Sequence, residues 1–214
     1  MANIILDFSS LNDIVPVTHD LTRKELIEHR KQAIYQYRNQ LLTEKLHTEI
    51  KSSDFAKTEF GKPYLSHFPT FHFNHSHSQQ HYVLASSQKM ANLGVDIEDL
   101  NRKVRFKQMA QHIFHPEEMK QWESIDFDPH YWFKVWTTKE AVLKASGLGI
   151  RLNLTELNTQ CHATQNGGIC HHPQLGVFAY QNIQLAQVML TIAWSSSLNC
   201  KGFNFPKIEL KFSP

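Results

Sequence analysis

An acidic residue lies on what the sequence predicts to be a buried helical face. In residues 131–149, four side chains recur at the three- and four-residue spacing of one helix face: Phe133, Trp136, Glu140 and Leu143. A carboxylate on such a face must be paired, metal-bound or protonated, because burying a bare charge is very costly. Glu140 is therefore the first candidate for chemistry.

A lysine follows one turn later on the same predicted face. Lys144 is four residues after Glu140 and can share its side of the helix, before Gly147 and Gly149 end it. The alternative is an ordinary surface salt bridge between the two side chains. The aromatic residues on this face favour the buried interpretation.

Two further carboxylates flank an isoleucine in the predicted strand over 93–99. Asp96 and Glu98 point to the same face of a strand because side chains alternate, whereas Val95 and Ile97 face the core. Alone, this pair is more often a solvent-facing strand edge. Together with Glu140 it predicts a three-carboxylate site for a hard divalent cation such as Mg²⁺, which prefers oxygen ligands.

A histidine-rich segment and a turn could supply further ligands. Residues 72–81 contain four histidines, which could bind a transition metal, but Ser76 and His77 could equally bind a phosphate. In the segment 60–64, Pro63 fixes the backbone of a turn that could present Lys62 to a ligand.

Composition narrows the class of protein. The chain has 214 residues, 41% hydrophobic and 20% charged, with a net charge of +2, which is typical of a globular protein and gives no support for nucleic-acid or membrane binding. Three cysteines (Cys161, Cys170 and Cys200) share no metal-ligand spacing and indicate no disulfide framework. We therefore expect a soluble, cytoplasmic protein.

Both halves of the chain combine helices and strands. Helix is predicted within 22–50, at 115–118 and over 131–149, and strands at 4–8, 71–73, 82–85, 93–99, 169–180, 183–194 and 202–212, with a loop at 160–174. We expect an α/β (α+β) fold divided near residue 100 into an N-terminal half, 1–100, and a C-terminal half, 101–214.

Read in order, the motifs resemble a known superfamily. They are Gly61-Lys-Pro, Phe73-Asn-His-Ser-His-Ser78, Gly94-Val-Asp-Ile-Glu98, Phe114-x-x-x-Glu118 and Trp136-x-x-Lys-Glu-Ala-x-x-Lys-x-x-Gly-x-Gly149. Their order is similar to that of the 4′-phosphopantetheinyl transferases, in particular the larger monomeric type related to the surfactin-synthetase-activating enzymes. The resemblance implies two similar α/β halves forming a pseudo-dimer, with the active site in the cleft between them.

The resemblance also implies an activity: Mg²⁺-dependent transfer of the phosphopantetheine arm of coenzyme A to a serine of an acyl or peptidyl carrier protein, which releases adenosine 3′,5′-bisphosphate. The partner would be acidic and bind transiently, and the enzyme would be a monomer.

The roles that the resemblance implies divide into three groups: metal ligands Asp96, Glu98 and Glu140; catalytic residues Glu140, Lys144 and Glu118; and coenzyme A contacts Lys62, Pro63, Ser76, His77 and Arg30, with Lys31 as the neighbour of Arg30 that could replace it. Either Glu118 or Glu140 could be the base. His75 departs from the family, which usually has an apolar residue there, and we expect it to be a neutral, hydrogen-bonded core histidine.

Two other functions remain possible from the residues alone. A metal-dependent nuclease or phosphodiesterase could use the strand-borne acids, but such sites commonly need an acid-x-Lys pattern that Glu98-Asp-Leu100 lacks. A non-enzymatic, histidine-rich metal-binding protein would leave the helix over 131–149 unexplained.

Overall fold

The structure, a computed structural model, describes residues 3–149, 151–196 and 206–213. Its elements confirm the mixed α/β class. In chain order they are β1 (Asn3–Ser10), α1 (Leu11–Ile14), α2 (Arg23–Leu46), β2 (Phe55–Lys57), β3 (Pro63–Leu65), β4 (His72–His77), β5 (His81–Ser87), β6 (Gly94–Asp99), α3 (Phe106–Ile113), α4 (Pro116–Ser124), α5 (Pro129–Ser146), β7 (Gly167–His172), β8 (Gly176–Leu185), β9 (Val188–Ser195) and β10 (Lys207–Phe212). Within this part of the chain, none of the helices combines the length and the apolarity needed to cross a bilayer.

The strands form two four-stranded sheets and a small hairpin. The first sheet has the order β10-β1-β5-β4 and the second the order β6-β9-β8-β7, while β2 pairs with β3 alone. Within the sheets only β1 and β10 run parallel; the other pairs of described strands are antiparallel. As a result β4 and β6 are both edge strands.

The two sheets pack face to face, and each carries a helix on its outer face. Ile4, Leu6 and Val83 of the first sheet share a buried cluster with Val95 and Ile97 of the second. On the outer side of the first sheet, α2 contributes to a separate core, and α5 contributes to a third against the second sheet. The layers are therefore helix, sheet, sheet, helix.

Helix α5 begins and ends as local chemistry dictates. The Asp128 side chain accepts hydrogen bonds from the first-turn amides, and Gly147 ends the helix with a φ of 75°. The predicted buried face was only half right. Phe133 and Leu143 are buried, but Trp136 and Glu140 are partly exposed, because they face the open edge of the second sheet.

Several predicted boundaries were wrong. The predicted loop over 160–174 contains β7, and the predicted strand over 169–180 is two strands joined by a turn. Of the predicted strand over 202–212, the part from 207 onward is observed, and 202–205 lie outside the described residues, as does Cys200. A split at residue 100 does not separate the sheets, since β6 belongs to the second sheet and β10 to the first. The division into 1–100 and 101–214, and the similarity of the halves, stay predictions.

Candidate active site

The candidate site lies where the edge strands β4 and β6 meet. The Asn74 side chain accepts a hydrogen bond from the Val95 amide at 2.9 Å, and Ser76 Oγ donates to Asp96 Oδ1 at 2.9 Å. These bonds join the two sheets through side chains instead of a backbone ladder. Side chains from either sheet can therefore meet here.

Asp96 is the centre of this arrangement. Lys144 Nζ donates to Asp96 Oδ1 at 2.6 Å and to Ser76 Oγ at 2.8 Å, so three elements contribute to one cluster. Asp96 is only 5% exposed, and its Oδ2 is buried without a hydrogen-bond partner among the described residues. A buried carboxylate oxygen without a donor is an acceptor in need of a cation or a proton.

Glu98 is held by two residues that the sequence reasoning missed. Arg102 Nη1 donates to Glu98 Oε1 at 2.5 Å, and Trp136 Nε1 donates to the same oxygen at 2.9 Å. The second oxygen of Glu98 is left for another partner. The four-residue spacing of Glu98 and Arg102 predicts a contact only on a helix, and here it joins a strand to the turn after it, so the sequence contains no signal for this pair.

Glu140 forms fewer hydrogen bonds than the other two carboxylates of this cluster, Asp96 and Glu98. No hydrogen bond ends on its side chain in the described part of the chain, and it lines a pocket of about 330 Å³. Burial, and next the negative charge of Asp96, raise the pKa of Glu140 to about 7, although Lys144 opposes the shift. The group is thus ready to accept a proton or a cation.

The pocket beside Glu140 brings together the predicted turn and helix. It is lined by Phe60, Gly61, Lys62, Pro63, Asn74, His75, Glu140, Leu143, Lys144, Gly147 and Gly149. Lys62 does not offer its amine to the pocket, since Nζ donates to the Leu93 and Ala145 carbonyls, both at 2.9 Å. Burial lowers the pKa of Lys62 to about 8. A larger pocket of about 680 Å³ lies near Asp7 and Lys45 and contains none of the predicted site residues.

Two predicted coenzyme A contacts lie apart from the carboxylate cluster. Ser76 and His77 point to opposite faces of β4, so only Ser76 reaches Asp96, and His77 is exposed. Arg30 Nη2 donates to the Ser78 and Gln79 carbonyls at 2.8 and 2.9 Å. Lys31 is exposed and forms a 3.6 Å ion pair with Glu28.

Glu118 is committed to a buried network away from the cluster. Its Oε2 accepts from Lys139 Nζ at 2.8 Å and from the His115 amide at 2.9 Å. Its Oε1 accepts from the Thr159 amide at 2.8 Å and from the Thr159 hydroxyl at 2.5 Å. Glu118 is 2% exposed and Lys139 is fully buried, and none of these contacts brings the Glu118 carboxylate to Asp96.

His75 turns toward the α2 side of the first sheet, near Tyr35 and Tyr82. Burial, and then the charges of Arg38 and Lys144, lower its pKa to about 3, so the ring is neutral at pH 7, as expected. The expected hydrogen bond is missing at one nitrogen, because Nδ1 is buried without a partner among the described residues.

The carboxylate cluster fits a hard cation by its chemistry. Among the described residues no three His, Cys, Asp or Glu side chains already form a closed metal site, in the carboxylate cluster or in the histidine-rich strand. Mg²⁺ needs only one or two protein carboxylates, because water and substrate phosphates complete its coordination. The unpartnered Asp96 Oδ2 and the Glu140 carboxylate, which accepts no hydrogen bond among the described residues, are oxygen donors of the kind this ion prefers.

Residues 92–193 match the family model described as the 4′-phosphopantetheinyl transferase superfamily. This segment contains Asp96, Glu98, Glu140 and Lys144, and it confirms the resemblance drawn from the motifs.

Individual relatives point the same way. A 4′-phosphopantetheinyl transferase of Bacillus subtilis is 33% identical over 108 residues, 50% of this chain and 46% of the relative. The 4′-phosphopantetheinyl transferase Sfp of Bacillus subtilis strain 168 is 30% identical over 118 residues, 53% and 51% of the two chains. A human L-aminoadipate-semialdehyde dehydrogenase-phosphopantetheinyl transferase is 28% identical over 132 residues, 55% and 42% of the two chains. The chain spans about half the length of the curated relatives it matches.

Proposed function

We propose that this protein transfers the 4′-phosphopantetheine arm of coenzyme A to a serine of an apo acyl or peptidyl carrier protein. The observation that carries the proposal is the Asp96–Ser76–Lys144 cluster beside the Glu140 pocket. It joins a carboxylate with an open acceptor, a fixed cation and a cleft, which are what phosphoryl transfer requires.

In the proposed reaction the carrier serine oxygen forms a bond to the phosphorus that bears the pantetheine arm. The bond between that phosphorus and the bridging oxygen breaks, and adenosine 3′,5′-bisphosphate leaves with the electron pair. The serine proton passes to a carboxylate base. Lys144, which is held by Asp96 and Ser76, is placed to stabilise or protonate the leaving phosphate oxygen.

Asp96 and Glu140, with Glu98 beside them, would hold the Mg²⁺ ion. When bound, this ion neutralises charge on the pyrophosphate. Trp136 and Arg102 orient Glu98 for that task through its Oε1. With both Glu98 and Asp96 fixed by donors on one oxygen, each carboxylate offers its other oxygen.

Of the two candidate bases, Glu140 is the better one. Glu140 lines the pocket and has no hydrogen bond among the described residues, whereas both oxygens of Glu118 accept hydrogen bonds in a buried network. A base must reach the hydroxyl from which it takes a proton, and Glu118 would have to break that network first.

The pocket would take part of coenzyme A, with Pro63 in its wall and Lys62 bracing the turn. Arg30 and His77 would contact phosphate only at the outer end of β4, since neither lies in the pocket. We further propose that the carrier protein is acidic and binds transiently, and that the enzyme is a cytoplasmic monomer.

Two other functions are less well supported. A phosphodiesterase using the strand acids lacks support from the family match, which covers those acids. Metal storage by the histidine-rich strand lacks support because no group of three ligands forms there among the described residues.

The test is mass spectrometry of apo carrier proteins after incubation with the protein, Mg²⁺ and coenzyme A. The expected result is a mass gain equal to the phosphopantetheine group on at least one carrier. A panel covering fatty-acid, polyketide, peptide-synthetase and siderophore carriers is needed, and no gain on any of them would refute the proposal.

Variants then test the roles. Asp96→Ala and Glu140→Gln should abolish transfer without loss of fold, whereas Glu123→Gln, an exposed acid on α4, should be unaffected. Wild-type rates in both site variants would show that the metal assignment is wrong. Lys144→Ala should lower kcat more than it raises the KM for coenzyme A, and a change in KM alone would make Lys144 a binding residue.

A further inference from the structure

A buried aspartate next to the candidate metal ligands holds a turn of the other sheet. Asp99, the last residue of β6, is 1% exposed. Its Oδ2 accepts from the Gln80 amide at 3.0 Å, and its Oδ1 lies 2.6 Å from His81 Nδ1. Both oxygens of this carboxylate therefore bond to residues at the turn that joins β4 to β5.

The same turn is held from the opposite side by α2. Arg30 donates to two consecutive carbonyls of the turn, Ser78 and Gln79. Helix α2 packs on one face of the first sheet and the sheet containing β6 packs on the other. The turn is therefore bonded from both sides, by Arg30 of α2 and by Asp99 of β6. An internal bond from the Ser78 amide to the His81 carbonyl, 2.9 Å, closes it.

This grip matters because β4 is an edge strand. Among the described strands it forms a backbone ladder with β5 alone, and side chains connect its other edge to β6. Along that edge three ties connect it to β6: Asn74 to the Val95 amide, Ser76 to Asp96, and the turn to Asp99. On this side β4 has no backbone ladder, so its position relative to β6 depends on these three hydrogen bonds.

We propose that Asp99 is a positioning residue that fixes Ser76 and His77 by clamping the β4–β5 turn against β6. The part of this inference that concerns coenzyme A rests on the proposed function. Without the Asp99 contacts the end of β4 can move. Ser76 then no longer keeps its hydrogen bonds to Lys144 and Asp96, and His77 shifts with the strand. A displacement of this kind costs binding because it misaligns groups that act together.

Hydrogen–deuterium exchange and calorimetry test this proposal. In Asp99→Ala, amide exchange over residues 76–81 should rise at least about tenfold, with the second sheet unchanged. Calorimetric titration with coenzyme A should show affinity about tenfold weaker, and kcat at saturating coenzyme A should fall as well, because Ser76 no longer holds Lys144 and Asp96 in register. Asp99→Asn keeps an acceptor for the Gln80 amide, so its exchange rates and its affinity for coenzyme A should lie between those of wild type and Asp99→Ala.

The matched control is another buried charge that holds a loop. Lys134 Nζ donates to the His162, Ala163 and Gln165 carbonyls, and Lys134→Met should loosen that loop without changing coenzyme A affinity. Unchanged exchange at 76–81 in Asp99→Ala and in His81→Gln, or unchanged coenzyme A affinity despite local loosening, would overturn the proposal. If the wild-type protein binds no coenzyme A, the proposed function and the coenzyme A part of this inference both fall, and the exchange result alone decides whether Asp99 holds the turn.

Discussion

Replacing His75 with leucine should make the protein more resistant to acid. Burial of the ring is the main cause that lowers the pKa of His75, and the charges of Arg38, Lys144 and His77 add to it. Its pKa falls from 6.5 to about 3. The folded protein therefore keeps His75 neutral in a pH range where the unfolded chain protonates it.

The direction and size of this effect on stability follow from the difference in proton binding between the folded and unfolded states. Between pH 6.5 and 3 the unfolded state binds one more proton at this position, so the free energy of unfolding falls as the pH falls. The effect begins at the unfolded pKa of 6.5 and amounts to about 1.4 kcal/mol per pH unit below it, so lowering the pH from 7 to 5 costs about 2 kcal/mol through this residue. His75→Leu removes the titrating group and should lose about 2 kcal/mol less than wild type over the same interval.

The assay is urea unfolding followed by tryptophan fluorescence at pH 7 and pH 5. The informative quantity is the change in stability between the two pH values, because the substitution also alters packing at both. His67→Leu, at an exposed histidine, is the control and should leave the pH dependence close to wild type. If His75→Leu and wild type lose the same stability between pH 7 and 5, the explanation from burial and neighbouring charge is wrong.

Three further predictions follow from buried contacts. Glu118→Ala should destabilise the fold by about 3–5 kcal/mol, because it leaves the buried Lys139 ammonium with two carbonyl acceptors but no counter-charge. Thermal unfolding measures this loss, and an unchanged Tm with lost transfer would instead favour a catalytic Glu118. Burial lowers the pKa of Lys62 from 10.5 to about 8, so the unfolded chain binds more protons at this residue between these values. Through Lys62 alone the free energy of unfolding should rise by about 2 kcal/mol from pH 8 to 10, and urea unfolding of wild type and Lys62→Met should differ by this contribution. Gly94→Ala should give little folded protein, since a Cβ there would lie 2.0 Å from the Ala141 carbonyl oxygen. The yield of soluble protein and its circular dichroism spectrum measure this, and a soluble, fully active variant would show that β6 can move away from α5.

The chemical inventory of the site could be predicted from local sequence. Alternation along the strand over 93–99 placed Val95 and Ile97 in the core and left Asp96 and Glu98 on the other face, as observed. The glycine after the helix predicted its end, and Gly147 ends it. These features depend on neighbours within a few residues, so their backbone geometry is fixed by periodicity and by steric freedom.

Partner choice could not be predicted in this way. Glu118 was predicted as a candidate base, and the fold brings it to Lys139 and Thr159. Lys62 was predicted as a coenzyme A contact, and its amine donates to the Leu93 and Ala145 carbonyls. No local pattern encodes such pairings, because they join elements distant in the chain and depend on how the two sheets pack.

The sequence by itself determined that two strand acids, a helix acid and a lysine were available for phosphate chemistry. Only the tertiary structure decided that Asp96 meets Ser76 and Lys144, across separations of 20 and 48 residues, at the junction of two edge strands. The reason is physical: a side chain's period is set by its own backbone, whereas its partner is set by the packing of the layers, which burial of apolar surface drives without regard to chain order.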